Sequence, residues 1–240
     1  MKIVTFEKTF TDLLKNVNKY FSKSNNFIHQ ARNEIKIINY ENKNLVVKSF
    51  KIPNFINKLV YTFFKDSKAK KSYNNSLRLG DFCPQPVGYL EFYKSKLLEK
   101  SFYISENFEF DFTIREPLLE VDFPEKREIF REFAKFCFKL HKQNIIHLDF
   151  SPGNILIKKG ETFEFKIVDV NRMRFQKLSL NQRALSFAKL WAKEEDLKII
   201  LNEYQKFYKD GDLIELALIE SQKHKNRVNF KKKIKQRLKK

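Results

Sequence analysis

Glycine and cysteine are scarce in this sequence, and a long apolar run is missing. Five glycines and two cysteines occur among 240 residues. Cys83 and Cys137 are far apart and lack the spacing of metal ligands, which excludes a cysteine-based metal site and predicts two buried thiols. No stretch has the roughly 18 consecutive apolar residues that span a bilayer. The residues from Met1 to Lys8 also lack the apolar core of a signal peptide, so we expect a cytoplasmic protein.

Positive charge, by contrast, is abundant and unevenly distributed. The formal net charge is +19, and the stretch from Gln222 to Lys240 holds ten Lys or Arg residues and no acid. Such a surface favours polyanions, namely nucleic acid, acidic lipid headgroups or a phosphorylated substrate. For the C-terminal stretch, a solvated helix without a partner is the alternative.

Hydrophobic patterning predicts an α+β chain that begins with a small antiparallel sheet. After an N-terminal helical stretch, strands are predicted at about 26–30, 34–40, 45–50, 87–92 and 102–106, with a helical region at about 55–79 that is broken near Asp66. A connector at about 106–117 follows. These elements form the first part of the predicted fold.

The second part is predicted to be mainly helical. Apolar side chains recur every three or four residues from Ile129 to His141, which indicates an amphipathic helix that starts near Pro124. A hairpin is predicted at about 155–158 and 163–168, and helix thereafter. A sheet part followed by a helical part with such a hairpin is typical of the protein-kinase-like fold.

The segment from His147 to Leu156 contains most of the candidate catalytic residues. Asp149 is followed five positions later by Asn154, and Asp169 comes at the end of the hairpin. In phosphoryl transfer from ATP, an Asp orients the acceptor hydroxyl, while an Asn and a second Asp hold Mg²⁺ against the phosphates. We expect His147 to be structural and to fix the backbone of the loop. The spacing therefore predicts a kinase that uses ATP and Mg²⁺.

The part of the chain that would hold the nucleotide departs further from the usual residues of a kinase. Lys48 ends an apolar strand, the place of a lysine that contacts the α- and β-phosphates. No Glu occurs between Glu41 and Glu91, so either a polar residue such as Asn74 replaces the usual carboxylate partner or Lys48 is held without an ion pair. The turn within Gln30–Asn33 has no glycine, and Arg32 is expected to add charge there.

These segments together resemble the lipopolysaccharide core kinases of the Kdo/WaaP family, in the protein-kinase-like superfamily. The likeness spans about residues 25–195, and the matching stretches are Leu45–Lys48, Ser67–Ala69, Cys83–Tyr89, Phe102–Glu106, His147–Leu156 and Ile167–Met173. The resemblance implies transfer of the γ-phosphate of ATP to a hydroxyl of Kdo or heptose in the lipopolysaccharide inner core. Such an acceptor, for example Kdo-lipid A, is met at the inner face of the inner membrane.

The resemblance also implies roles for single residues and a domain plan. It makes Asp149 the catalytic base, Asn154 and Asp169 the metal ligands, Lys48 a phosphate contact, and Glu106, Asn107 and Phe108 the adenine-side hinge. It implies one two-lobed protein-kinase-like domain over 1–240, with an antiparallel-sheet N-lobe at about 1–106, a hinge at about 106–117, a mainly helical C-lobe at about 118–221 and a basic C-terminal helix at about 222–240.

The acceptor is predicted from the details of the loop. Leu148 occupies the place of the Arg by which loop-regulated protein kinases bind a phosphorylated activation loop, and Ser151-Pro152-Gly153 is closer to the loops of kinases that act on sugars and antibiotics. Both features favour a sugar or glycolipid acceptor. We further expect the basic tail at 231–240 to contact an anionic inner membrane, and we do not expect nucleic acid as a partner.

Two alternatives remain open. One is an atypical protein kinase of the RIO-like kind, in which the basic charge would contact ribosomal RNA. The other is a pseudokinase scaffold, which the missing Glu and the glycine-free turn would favour.

Overall fold

The computed structural model describes residues 1–5, 7–30 and 33–237, and the chain divides into two compact units. The first unit comprises Met1–Glu109 together with the short stretch Asp169–Asn171. The second comprises Phe110–Val168 and Arg172–Lys240. The mixture of helices and strands confirms the predicted α+β class.

The first unit is built on a six-stranded antiparallel sheet in the order β1-β5-β6-β4-β3-β2. Its strands are β1 (Lys2–Thr5), β2 (Phe27–Gln30), β3 (Glu34–Tyr40), β4 (Lys43–Phe50), β5 (Pro86–Lys94) and β6 (Leu97–Glu106). Five of these strands were predicted. The edge strand β1 was not, because only its pairing with the distant β5 defines it.

Helices cover both faces of this sheet. They are α1 (Thr11–Lys15), α2 (Val17–Lys23), α3 (Phe55–Leu59), which continues into a π-helical turn at Val60–Phe64, and α4 (Lys68–Leu79). Alternate strand residues point to opposite faces, so Leu45 and Val47 pack in the core with α1 and α2, while Phe50 packs with α4. The predicted break near Asp66 is confirmed, since the Ser67 hydroxyl accepts from the Lys70 N–H at 3.1 Å and begins α4.

The second unit is mainly helical. Its helices are α5 (Arg115–Leu119), α6 (Lys126–Lys142), α7 (Leu180–Phe187), α8 (Glu194–Phe207) and α9 (Ile214–Arg237). Its strands are β7 (Phe112–Thr113), β8 (Ile145–His147), β9 (Ile155–Lys159), β10 (Phe163–Ile167) and β11 (Met173–Phe175). They form two small sheets, with the orders β10-β9-β7 and β11-β8.

Two expectations about these elements were wrong. Pro124 lies outside α6, which begins at Lys126 after Glu125 adopts a left-handed conformation with φ 56°. The chain after Val168 is not helical throughout, because Met173–Phe175 pairs with β8 before α7 begins. The pairing of Met173–Phe175 with β8 positions part of the site described below.

The long helix α6 supplies the core of the second unit. Its predicted apolar face is buried and consists of Ile129, Phe130, Phe133, Ala134, Cys137, Leu140 and His141. The Phe133 ring stacks on that of Phe150 with centroids 5.8 Å apart, and this contact anchors the loop after β8 on the helix. Cys137 and Cys83 are both buried thiols, as predicted.

The basic C-terminal segment is the second half of α9. Ala217 and Ser221 are buried in the first half, whereas Phe230 and Ile234 are exposed. Leu238, Lys239 and Lys240 lie outside the described residues. No helix in the described ranges is long and apolar enough to cross a membrane.

Candidate active site

The loop after β8 is held in shape by the side chain of His147. Nδ1 of His147 accepts a hydrogen bond from the backbone N–H of Asp149 at 3.0 Å. Nε2 therefore carries the ring proton in the neutral imidazole, and it donates to the carbonyl of Val168 at 3.0 Å. The ring is buried, and its two hydrogen bonds connect the start of the loop to the residue that follows β10.

Two cationic side chains lie beside the carboxylate of Asp149. Arg172 Nη1 is 3.4 Å from Oδ2, and Lys189 Nζ is 3.9 Å from Oδ1. Lys189 also donates to the carbonyl of Leu148. Asp149 is partly exposed, so its carboxylate is open to a ligand while its surroundings are positively charged.

The sequence did not reveal these two cations as site residues. Arg172 reaches Asp149 because β11 pairs with β8, and its carbonyl accepts from the Leu148 N–H at 2.8 Å. Lys189 comes from a short 3-10 turn after α7, at a distance along the chain for which no local spacing gives a signal. The two arginines Arg172 and Arg174, shortly after Asp169, are the local signal that could have indicated charge near the loop.

Asn154 closes the loop. It ends a short 3-10 turn that starts at Pro152, and its side-chain Nδ2 donates to the carbonyl of Asp149 at 2.9 Å. Gly153 in this turn permits a close approach, since a Cβ there would lie 2.6 Å from Nη2 of Arg115. A third cation is thereby packed against the backbone of the loop.

In the first unit, the structure brings Lys48 and Asp169 together. Lys48 Nζ donates to Asp169 Oδ1 at 2.7 Å, and the lysine side chain is almost fully buried. Asp169 has φ 58°, a left-handed conformation that non-glycine residues adopt at some energetic cost and that often marks a functional position. The predicted partner of Lys48 was either a residue such as Asn74 or none, and the structure instead gives it a carboxylate from the distant Asp169.

Two asparagines fix the short stretch that contains Asp169. Asn171 Nδ2 donates to Asp169 Oδ1 at 2.5 Å, so that oxygen receives two hydrogen bonds. From α4, Asn75 Nδ2 donates to the carbonyl of Val170 at 2.7 Å. The predicted Asn74 is exposed, and its neighbour Asn75 is the helix residue that reaches this stretch.

The predicted hinge residues lie at the end of β6, of which Glu106 is the last residue. The Glu106 N–H donates to the carbonyl of Gln85 and the Asn107 N–H to that of Asn44, both at 2.9 Å. The Glu106 carboxylate pairs with Lys43 at 3.3 Å. These two backbone N–H groups therefore donate hydrogen bonds within the protein. Phe108 is the next residue. The predicted nucleotide turn includes Ala31 and Arg32, which lie outside the described residues.

The predicted metal ligands belong to different units, Asn154 to the second and Asp169 to the first. In the part of the chain that the structure describes, no three His, Cys, Asp or Glu side chains are grouped as a metal site. Mg²⁺, however, is commonly bound by one or two protein oxygens together with substrate phosphates and water. The hydrogen bonds described above use Nδ2 of Asn154 and Oδ1 of Asp169, and they leave one hard oxygen on each side chain, so the donor chemistry fits Mg²⁺.

Comparison with solved structures identifies the fold. The structure of WaaP in complex with acyl carrier protein covers 94% of this chain and 99% of that chain, with a TM-score of 0.60 and 15% sequence identity. A Stt7 homologue from Micromonas algae, soaked with ATP, covers 63% of this chain and 49% of that chain, with a TM-score of 0.43 and 14% identity. No protein-family model and no curated protein matches the sequence. The chain has the protein-kinase-like fold of WaaP, as its sequence predicted.

Proposed function

We propose that this protein is an ATP- and magnesium-dependent kinase that phosphorylates a sugar hydroxyl, of Kdo or heptose, in the lipopolysaccharide inner core. The observation that carries the proposal is the environment of Asp149. Its carboxylate is partly exposed, its backbone is fixed by His147 and Asn154, and two cations lie beside it. The shared fold with WaaP over most of both chains supports the same conclusion.

Asp149 acts on the acceptor. Its carboxylate accepts a hydrogen bond from the sugar hydroxyl and takes the proton as the new oxygen–phosphorus bond forms and the bond between the γ-phosphorus and the bridging oxygen breaks. Positioning and charge neutralisation supply most of the acceleration in such reactions. Lys189 and Arg172 are placed to stabilise negative charge next to the reacting hydroxyl.

The remaining predicted residues hold the nucleotide. Asn154 and Asp169 would bind Mg²⁺ through their remaining side-chain oxygens, and the ion would neutralise charge on the phosphates. Lys48 contacts the α- and β-phosphates from β4. Glu106, Asn107 and Phe108 are the proposed adenine-side hinge, in which the N–H groups of Glu106 and Asn107 donate to carbonyls of the protein.

The charges around the loop support an acidic acceptor. Arg115, Arg172 and Lys189 all lie against the backbone or side chains of residues 148–153. The inner core of lipopolysaccharide carries carboxylates and phosphates, which three such cations would bind. We also propose that the basic second half of α9 is drawn towards the anionic membrane in which the glycolipid is embedded.

Mass spectrometry of lipopolysaccharide tests the acceptor. A strain that lacks this protein should lose one phosphate from the inner core, and the wild-type chain should restore it while Asp149→Ala does not. An unchanged inner core would contradict the proposed acceptor. RNA binding with a steep dependence on salt would instead support an RIO-like protein kinase, and absence of magnesium-dependent ATP binding would support a pseudokinase.

A further inference from the structure

A helical segment of the first unit exposes several large apolar side chains. This segment, Ile52–Phe64, contains α3 and the π-helical turn, and neither helix has a buried residue. Phe55, Ile56, Phe63 and Phe64 are between 64% and 80% exposed. Helices with so many apolar residues are normally buried, and a contiguous exposed apolar surface marks a site of interaction.

The helical geometry places these four side chains on one face. Phe55 and Phe63 are eight positions apart, and so are Ile56 and Phe64. An α-helical turn has about 3.6 residues, and the following turn is wider because the Lys65 N–H bonds to the carbonyl of Val60, five residues earlier, at 2.8 Å. One narrow and one wide turn add up to about eight residues, so each pair is stacked along the same side of the helix.

Polar contacts hold the opposite side of the segment against β6. The Thr62 hydroxyl donates to the carbonyl of Lys58 at 2.6 Å and accepts from the Leu98 N–H at 2.9 Å. The Lys58 ammonium group pairs with Glu99. Polar contacts therefore help to fix the segment to the sheet, Leu59 and Val60 are half-buried, and Phe55, Ile56, Phe63 and Phe64 still face solvent.

Lysines outnumber acids in the sequence that contains the apolar face. Residues 51–71 include six lysines and a single acid, Asp66, which pairs with Lys70 at 2.6 Å. A cavity of about 250 Å³ lies beside the segment, and its lining includes Lys51, Lys68, Asn57 and Tyr61 but no carboxylate. Ammonium and hydroxyl groups around such a cavity match the phosphate of a lipid headgroup.

We propose that Ile52–Phe64 is a membrane-docking element that inserts its aromatic side chains into the headgroup region of an anionic bilayer. Interfacial helices bind in this way, with an apolar face in the lipid and lysines near the phosphates. A second copy of the chain is a poor occupant of the face, since a symmetric contact would bring two lysine-rich surfaces together. The proposal goes beyond the proposed kinase function and does not depend on it.

Site-specific labelling tests the insertion directly. The native thiols Cys83 and Cys137 are buried, so Phe64→Cys provides a single accessible site for an environment-sensitive dye. Val121→Cys is the matched control, because Val121 is 70% exposed and lies between Glu120 and Asp122, which an anionic surface repels. With vesicles of equal parts phosphatidylglycerol and phosphatidylcholine, the emission of the dye at position 64 should shift to the blue, and that at position 121 should not.

Co-sedimentation with the same vesicles gives a second readout on unlabelled protein. Phe63→Ser with Phe64→Ser should weaken binding by about tenfold or more, since two inserted rings are lost, while Val121→Ser should not. Vesicles of phosphatidylcholine alone should bind the wild type more weakly. Circular dichroism and thermal melting check that the variants fold, which is expected because the replaced side chains are exposed.

Three results would overturn the proposal. The dye at position 64 could fail to respond to anionic vesicles, or both dyes could respond equally, which would show that the response is not specific to Ile52–Phe64. Light scattering could also show a dimer of the wild type that the double serine variant abolishes, and the face would then be an interface between two copies. None of these readouts uses catalysis, so their outcome is separate from that of the kinase proposal.

Discussion

The ammonium group of Lys48 lies 2.7 Å from a carboxylate oxygen of Asp169, although the two residues are 121 positions apart in the chain. This pair joins β4 to the stretch that follows β10. It supplies the carboxylate partner that the sequence of α4 lacks. It also places the proposed phosphate contact next to the proposed metal ligand.

Removal of Asp169 and removal of Lys48 should lower the stability of the protein by different amounts. Asp169→Ala leaves a buried ammonium group without its carboxylate, and we expect a loss of roughly 1–3 kcal/mol in the free energy of unfolding, reduced because Asp169 is itself one-third exposed. Lys48→Met removes the buried charge and should cost less. Urea unfolding of both variants and of the double variant measures the coupling, and strictly additive losses would show that the two side chains do not interact.

Magnesium-nucleotide binding should distinguish the two aspartates. Asp169→Asn keeps the shape of the side chain but weakens its oxygen as a metal ligand, so calorimetry should show a loss of Mg²⁺-dependent ATP affinity of roughly tenfold or more. Asp149→Ala should bind Mg·ATP like the wild type, because Asp149 is proposed to act on the acceptor. Asp122→Asn, at an exposed site, is the control. Equal affinities for Asp169→Asn and this control would refute the proposed metal role.

Asn75 and Asn74 form a matched pair on α4. Asn75→Ala removes the hydrogen bond to the carbonyl of Val170 and should loosen the stretch that holds Asp169, lowering Mg·ATP affinity about fivefold to tenfold, the equivalent of about 1 kcal/mol. Asn74→Ala should have no effect, since Asn74 is exposed. The same titration calorimetry checks both. A larger effect at Asn74 would restore it as the partner of Lys48.

A buried histidine in the second unit should make stability depend on pH. Burial, and secondarily the charge of Arg183, lowers the pKa of His141 from 6.5 to about 3. Its Nδ1 lies 2.9 Å from the hydroxyl of Tyr204, which also accepts from Arg183, so the neutral ring is the form that fits. Between pH 6.5 and 3 the unfolded chain binds a proton at this residue and the folded chain does not. Stability should therefore fall as the pH drops through that window, by up to about 1.4 kcal/mol per pH unit.

Urea unfolding of His141→Asn across the same pH range checks this prediction. The variant should be less stable at neutral pH because a packed ring is lost, but its stability should fall less steeply with acid. His224→Asn, at a less buried site in α9, is the control. Parallel pH profiles of the wild type and His141→Asn would show that this residue is not responsible.

Local patterns in the sequence were sufficient to predict the larger helices and strands. The apolar period of α6, the break before α4 and the strands β3 and β4 each depend on neighbouring residues, and each was predicted close to its observed bounds. The short strands β1, β7, β8 and β11 were missed. Such strands are defined by their pairing with distant segments, which local patterns do not show.

The residues of the candidate site also divide into those that the sequence predicted and those that it did not. His147, Asp149 and Asn154 lie within one loop, and their fixed spacing was enough to predict that they act together. Lys189 and the ion pair of Lys48 arise from contacts between segments far apart in the chain. No spacing rule connects such segments, because tertiary packing decides which of many lysines and acids meet. Arg172 is an intermediate case, being close in sequence to Asp169 but brought to Asp149 by the unpredicted β11.

Transfer of labelled phosphate is the most direct test of the central claim, that Asp149 catalyses phosphorylation of a lipopolysaccharide sugar. Purified wild-type protein with Mg²⁺ and ATP labelled in the γ-phosphate should move label into Kdo-lipid A or a heptose-bearing inner core. Asp149→Ala should reduce that rate by roughly 10²–10⁴-fold, the usual contribution of a general base. Near wild-type turnover in Asp149→Ala, or label found in added protein and not in the glycolipid, would contradict the account.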